Sequence, residues 1–341
     1  MFEQLSQCEK IEELCLECTR PIDLFDSFGV TSISKLKDLK KLKLWNIINW
    51  TASDYVTLFV NGNLKNLVAL DLKCFEYING EVLKTISLEC PKLETFYLDF
   101  MCDDMHKISH FKNLKHLHIR KSEDVYMDSF VKLFSSGNLN NLTELKFLST
   151  YPNPEINHKV IQSIQNGCPN LKSFEIAADG SPRLKLQSIS VLDKLTTLNL
   201  AYSKLLPEAL VFIFSNRNLE NLEVLNISFC GGINCQVLKT IALQCPNLQK
   251  LILMQNDTQL KLRNNETKIT KFQQALMFLV ENCKHLKTLH IGGNNRLSVQ
   301  LLRYYSYDFL SELKKRVPQL FYDNIYLTRR ELHNLQHTKV F

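Results

Sequence analysis

The stretch VLKTISLECPKLETFYL, Val82 to Leu98, and its near-copy VLKTIALQCPNLQKLIL, Val237 to Leu253, decide how the chain is read. In each, the leading apolar residues are spaced one, three and four apart (Val82, Leu83, Ile86; Val237, Leu238, Ile241), which fits one face of a helix. Proline then stops the helix, and the spacing shortens to two (Phe96, Leu98; Leu251, Leu253), so that both side chains fall on one face of an extended strand.

The strand half of this stretch, LxxLxL with Ile or Phe as occasional substitutes, recurs along the chain. Copies begin at Ile11, Leu39, Leu67, Leu93, Leu114, Leu142, Leu171, Leu195, Leu222, Leu248 and Leu286. All but the last interval, from Leu248 to Leu286, fall within the span of leucine-rich repeats, about 20–29 residues. A longer period lies over them. Tails of the form CPxL end at Leu93, Leu171 and Leu248, NLxNL ends at Leu67, Leu142 and Leu222, and shorter repeats begin at Leu39, Leu114 and Leu195, as though a triplet had been duplicated.

A repeat that always returns the chain the same way makes parallel strands, and one repeat alone cannot cover its own apolar face, so neighbours must stack. Helices are about 10 Å wide and strands about 4.8 Å apart, which bends the stack with its sheet inside. The expected fold is therefore an α/β leucine-rich-repeat solenoid, or horseshoe, with parallel strands on the concave side and helices on the convex side. It covers 1–294 in about eleven repeats, followed by a capping region at 295–341 in which Leu301 to Val317 and Phe321 to Leu327 close the last apolar face. The long interval before Leu286 carries a polar, basic insertion, Gln255 to Thr270, read as a surface loop.

The CPNLxxLxL repeats, with a helix ending at Cys-Pro, resemble the cysteine-containing leucine-rich repeats of F-box proteins and their ribonuclease-inhibitor-like relatives, over nearly the whole chain. The resemblance implies a substrate-recognition or adaptor protein of the ubiquitin-ligase type, whose repeats bind the target while an F-box docks a ligase adaptor. No F-box is visible, because FEQLSQCEKIEELCL, from Phe2, already reads as a helix end and strand with Cys8 and Ile11 in register.

Composition is that of a globular chain, 45% hydrophobic and 22% charged. Forty-one basic against 35 acidic residues leave +6, too little over 341 residues to announce a nucleic-acid binder. The local run Lys35, Lys37, Lys40, Lys41 and Lys43 reads as a solvated face. Met1 to Lys10 lacks a signal-peptide pattern and no window is apolar enough to span a membrane, so a cytoplasmic or nuclear protein with reduced cysteines is expected. Of the eleven cysteines, Cys8, Cys90, Cys168, Cys245 and Cys283 share one repeat position and read as core.

No catalytic constellation appears: there is no phosphate-cradling glycine loop, nucleophile elbow or HExxH motif, and an enzyme is not expected. Cys15 and Cys18 form a CxxC without a second pair to complete a zinc site. His116 and His118, two apart on a strand, read as surface histidines facing the concavity rather than metal ligands, and no cofactor or metal is called for.

Alternation along each strand puts the residues flanking the last two leucines on the concave face. The early repeats present Lys41, Lys43, Trp45, Asp71, Lys73, Tyr97, Asp99, His116, His118, Arg120 and Lys146. The later ones present smaller, more neutral residues, among them Asn199, Ala201, Asn226 and Ser228. Aromatic and arginine side chains dominate interface hot spots, which makes Trp45, Tyr97 and Arg120 the leading anchors for a protein partner on a monomeric chain. The alternative is a nucleic acid or an acidic phospholipid on the basic early repeats.

Overall fold

The computed structural model describes residues 8, 10–17, 27–47, 50–73, 78–99, 104–121, 127–149, 158–178, 186–203, 205–215, 219–230, 233–254, 266–292 and 307–323. The chain divides into two compact units, Met1–Leu171 and Lys172–Phe341. In the first, strands β1 (Glu13–Glu17), β2 (Lys41–Trp45), β3 (Ala69–Lys73), β4 (Thr95–Leu98), β5 (His116–Lys121) and β6 (Glu144–Ser149) lie parallel in chain order. Between or after them come helices α1 (Ser27–Ser34), α2 (Ala52–Phe59), α3 (Gly80–Glu89), α4 (Met127–Ser135) and α5 (His158–Gly167). In the second unit, β7 (Ser173–Ala178), β8 (Thr197–Asn199), β9 (Val224–Asn226), β10 (Lys250–Met254), β11 (Thr288–Gly292) and β12 (Gln319–Asp323) follow the same rule, with α6 (Pro207–Phe214), α7 (Cys235–Gln244), α8 (Glu266–Asn282) and α9 (Tyr307–Arg316).

The repeats set the register. The second apolar residue of each LxxLxL stacks on its counterpart: Leu14, Leu42, Leu70, Phe96, Leu117 and Leu145 in the first unit. Phe174, Leu198, Leu225, Leu251, Leu289 and Leu320 do so in the second. Leu42, Leu44, Leu70, Leu72, Leu225 and Ile227 are wholly buried. The short intervals before Leu114 and Leu195 have room only for 3-10 turns, Met105–His110 and Leu186–Val191, where other repeats carry a helix.

Local signals agree with this ladder. Asn79 caps α3 through the backbone N–H groups of Glu81 and Val82, and Asn234, its counterpart in the near-copy, caps α7 through that of Val237. The residue before the first leucine stitches repeat to repeat. Asn66, Asn113, Asn141 and Asn170 donate their amides to Lys37, Pro91, Lys112 and Asn140 carbonyls at 2.8–2.9 Å. In the second unit Asn247 donates to Glu220 at 3.0 Å. These bonds satisfy carbonyls that the turns would otherwise leave open.

Cys90, Cys168, Cys245 and Cys283 are buried as their shared position predicts, and burial pushes the thiols of Cys90, Cys168 and Cys283 up to about 12. Cys8 departs from the set and is exposed, since no strand stacks ahead of β1 among the described residues. Cys18 lies outside the described residues, as do 255–265 of the predicted insertion; its remainder, Glu266 to Thr270, opens α8. Within the predicted cap, 301–306 and 324–327 are likewise outside them, whereas α9 and β12 continue the ladder beyond β11. The twelfth copy reads Val317-x-x-Leu320-x-Tyr322, with Val317 wholly buried at the first leucine position.

Candidate partner-binding face

The eleven residues singled out on the early repeats all lie in the first unit, on or just beyond β2 to β6. Register turns them into rows across the sheet. One row runs Lys43, Asp71, Tyr97, His118, Lys146; another pairs Trp45 with Lys73; a third brings Lys41 to Ala69, Thr95, His116 and Glu144.

Two clusters form. Around Trp45, the Lys73 ammonium lies 3.4 Å and the Lys43 ammonium 5.7 Å from the indole centroid. Asp71 is on the predicted face but covered, with 8% exposure, between its register partners Lys43 and Tyr97, whose side chains are longer. Burial raises its carboxyl above the usual range, against the opposing pull of Trp45, Lys73 and Lys43. Trp45 Nε1 is near enough to draw on that carboxyl, yet it and Asp71 Oδ1 are both buried without meeting the geometry of a hydrogen bond to any described residue. Asp99, just past β4, is likewise raised by burial against Arg120 and Lys73, and its Oδ1 lies 3.5 Å from Arg120 Nε. Lys41 pairs instead with Glu13 of β1.

The second cluster centres on Glu144. Its Oε1 lies 2.7 Å from His118 Nε2 and 2.8 Å from Lys146 Nζ, and its Oε2 lies 3.2 Å from His116 Nδ1. Burial works against the charge, but the hydrogen bonds from Lys146 and His118 outweigh it and hold the carboxyl down at about 2. Burial and the Lys146 charge keep the His118 imidazolium below its usual range despite Glu144. Tyr97 stands edge-on to His118 with ring centroids 4.2 Å apart and remains 36% exposed. Glu144 therefore organises both histidines. Its place among the alternating residues was legible; its role needed the register, which sets it opposite His116 and two residues before Lys146. His106 and His110 stand in the 3-10 turn, and His106 is 4.0 Å from Asp104 instead.

The later repeats depart from simple alternation. Ala201 and Ser228, expected on the open face, are buried, because β8 and β9 stop after three residues. Asn199 and Asn226 accept from the N–H groups of Ala201 and Ser228, turning the backbone. The next residues, Tyr202 and Phe229, adopt left-handed φ of 67° and 58° and stack with centroids 4.3 Å apart.

No family model and no curated protein matches the chain. Among solved structures, an internalin from Listeria monocytogenes is 14% identical with a TM-score of 0.46, covering 88% of this chain and 86% of its own. A chain from the complex of Rad7 and Elc1 in yeast is 16% identical with a TM-score of 0.59, covering 96% of this chain and 82% of its own. Among the described residues no helix is long and apolar enough to cross a membrane. In each unit the strands lie parallel in chain order with their leucine positions in register, and the chain has the α/β leucine-rich-repeat solenoid fold.

Proposed function

We propose that the chain is a non-enzymatic protein-binding module that takes a protein partner on the open strand face of its first unit, as a substrate-recognition or adaptor protein of the ubiquitin-ligase type. The observation that carries this reading is Tyr97, exposed on a fixed platform: His118 meets its ring edge-on, and Glu144 holds His118. An aromatic fixed before binding loses little conformational freedom when it is covered, which is how hot spots arise. Trp45, clasped by two lysines, is the second such anchor. The yeast structure of similar fold is itself a complex of two proteins, which supports the class of function. On this reading the repeats over 1–294 and the region 295–341 make up a monomeric protein of the cytoplasm or nucleus, with no cofactor.

Affinity capture with the tagged full chain, followed by titration of the recovered partner, tests it. Trp45→Ala with Tyr97→Ala should weaken that partner at least about tenfold, or about 1.4 kcal/mol, with an unchanged melting curve. Recovery of a ligase adaptor supports the finer assignment. Undiminished affinity of the double variant rejects the site, and retention of RNA or acidic vesicles that collapses with salt replaces the protein partner by the electrostatic one.

A further inference from the structure

Resting on the protein-binding reading above, we propose that the partner offers an acidic segment, with a carboxylate side chain seated between Lys43 and Lys73 over Trp45. Two ammonium groups converge on one indole, 3.4 and 5.7 Å from its centroid, and neither forms an ion pair among the described residues. A carboxylate within reach of both ammonium groups takes charge-assisted hydrogen bonds from them. Asp71, which stands opposite Lys43 in register, does not fill this role, since it is buried and forms no ion pair with either lysine. The charges are thus layered: Asp71 is covered and Asp99 19% exposed, while Lys73 is half-buried, Lys43 is exposed and the Arg120 side chain is 50% exposed. A ligand arriving from solvent meets the cations first.

A polyanion fits less well. Lys41 pairs with Glu13, and Asp99 and Glu144 hold Arg120 and Lys146, so among the described residues of β2 to β6 that the sequence places on this face the cations left over form a local pair and no continuous stripe. Tyr97, one strand beyond Asp71 and partly exposed, gives the neighbouring residue of the segment a ring to lie against.

The probe is a fluorescein-labelled peptide of repeated Glu-Tyr-Gly units, titrated by anisotropy against the full chain, with the Lys-Tyr-Gly counterpart and an oligouridylate as comparisons. The acidic peptide should bind and quench Trp45 emission, and K43Q/K73Q should weaken it at least about tenfold, whereas K84Q/K132Q, the same charge change on the helix side, should shift it less than about twofold. Circular dichroism melting of both pairs shows that the fold is retained. Absence of acidic-peptide binding, equal losses in the two pairs, or tighter binding of oligouridylate through Lys43 and Lys73 overturns the proposal. If the captured partner still depends on Trp45 and Tyr97 while the acidic peptide fails, the protein-binding reading stands and only the acidic segment is lost.

Discussion

The repeats of β2 to β6 and those of β8 and β9 carry the same motif with opposite treatment of the open strand face. In the first, five-residue β2 and β3 and six-residue β5 and β6 keep the alternation going long enough to array Trp45, Lys73, Tyr97, His118 and Lys146 in register. In the second, β8 and β9 end after three residues, Asn199 and Asn226 accept from the backbone N–H groups two residues on, and Ala201 and Ser228 are buried at what would have been open positions. The core is unaffected: Leu70 and Leu225, at the same repeat position in the two units, are both wholly buried. Buried leucines fix the ladder in both sets, while the early end of β8 and β9 closes the positions that Trp45 and Lys73 hold on β2 and β3.

The largest effect is expected at the leucines that both units bury. Leu225→Asp, like Leu70→Asp, should cost about 3–5 kcal/mol in urea unfolding, because it places an unpaired charge between stacked repeats. Asn226→Asp, beside it on the half-exposed side, should stay within about 0.5 kcal/mol. Equal losses at the two positions would falsify the facing of β9.

Glu144 belongs to the first unit's face alone and gives the next largest effect. Its folded carboxyl sits at about 2, below the ordinary 4.5, so the stability it contributes is present above about 4.5 and is lost as pH falls toward 2. Glu144→Gln should cost about 1–2 kcal/mol at neutral pH by removing charge-assisted bonds to Lys146 and His118. The gap from wild type should narrow below pH 4.5. A gap that is constant down to acid pH rules out the ion cluster as its cause.

Much of this was readable beforehand. Eleven strands follow from LxxLxL, because apolar spacing reports burial and each repeat buries the same positions. The twelfth escaped because Val317 and Tyr322 stand where leucines are usual. The open face was legible as a set of residues, but not as contacts. Repeats of unequal length hide which side chains share a row until the leucines are aligned, so Glu144 did not stand out beside the histidines. Alternation also failed where strands end, and nothing in single-residue periodicity announces that β8 stops at Asn199.

Tyr202 and Phe229 sharpen the contrast from the second unit's side. A bulky residue in the left-handed region costs about 1–2 kcal/mol, and an aromatic stack returns about 0.5–1.5 kcal/mol. Tyr202→Gly should therefore be close to neutral, within about 0.5 kcal/mol in thermal unfolding. A loss well beyond the ordinary range for a surface substitution would mean that the stack, and not the Asn199 turn, shapes this face.

The smallest effect carries the opposite sign to Glu144, on the same face. Burial raises the Asp71 carboxyl above 3.8 even with Trp45, Lys73 and Lys43 drawing it down, so its ionised form is less favourable in the folded chain than in the unfolded one. Ionisation of Asp71 thus detracts from stability above its folded value, and the deficit disappears as pH falls below 3.8. Asp71→Asn keeps the shape, removes the buried charge and lets its carbonyl meet Trp45 Nε1. The variant should melt at or slightly above wild type at neutral pH, by a few tenths of a kcal/mol at most, with the advantage fading as pH falls through the ordinary carboxylate range. It should also leave Lys43 and Lys73 less restrained and strengthen their pull on an acidic peptide. A clear loss of stability at neutral pH would make Asp71 the cement of the Trp45 cluster, and the lysines would then be neutralised from below.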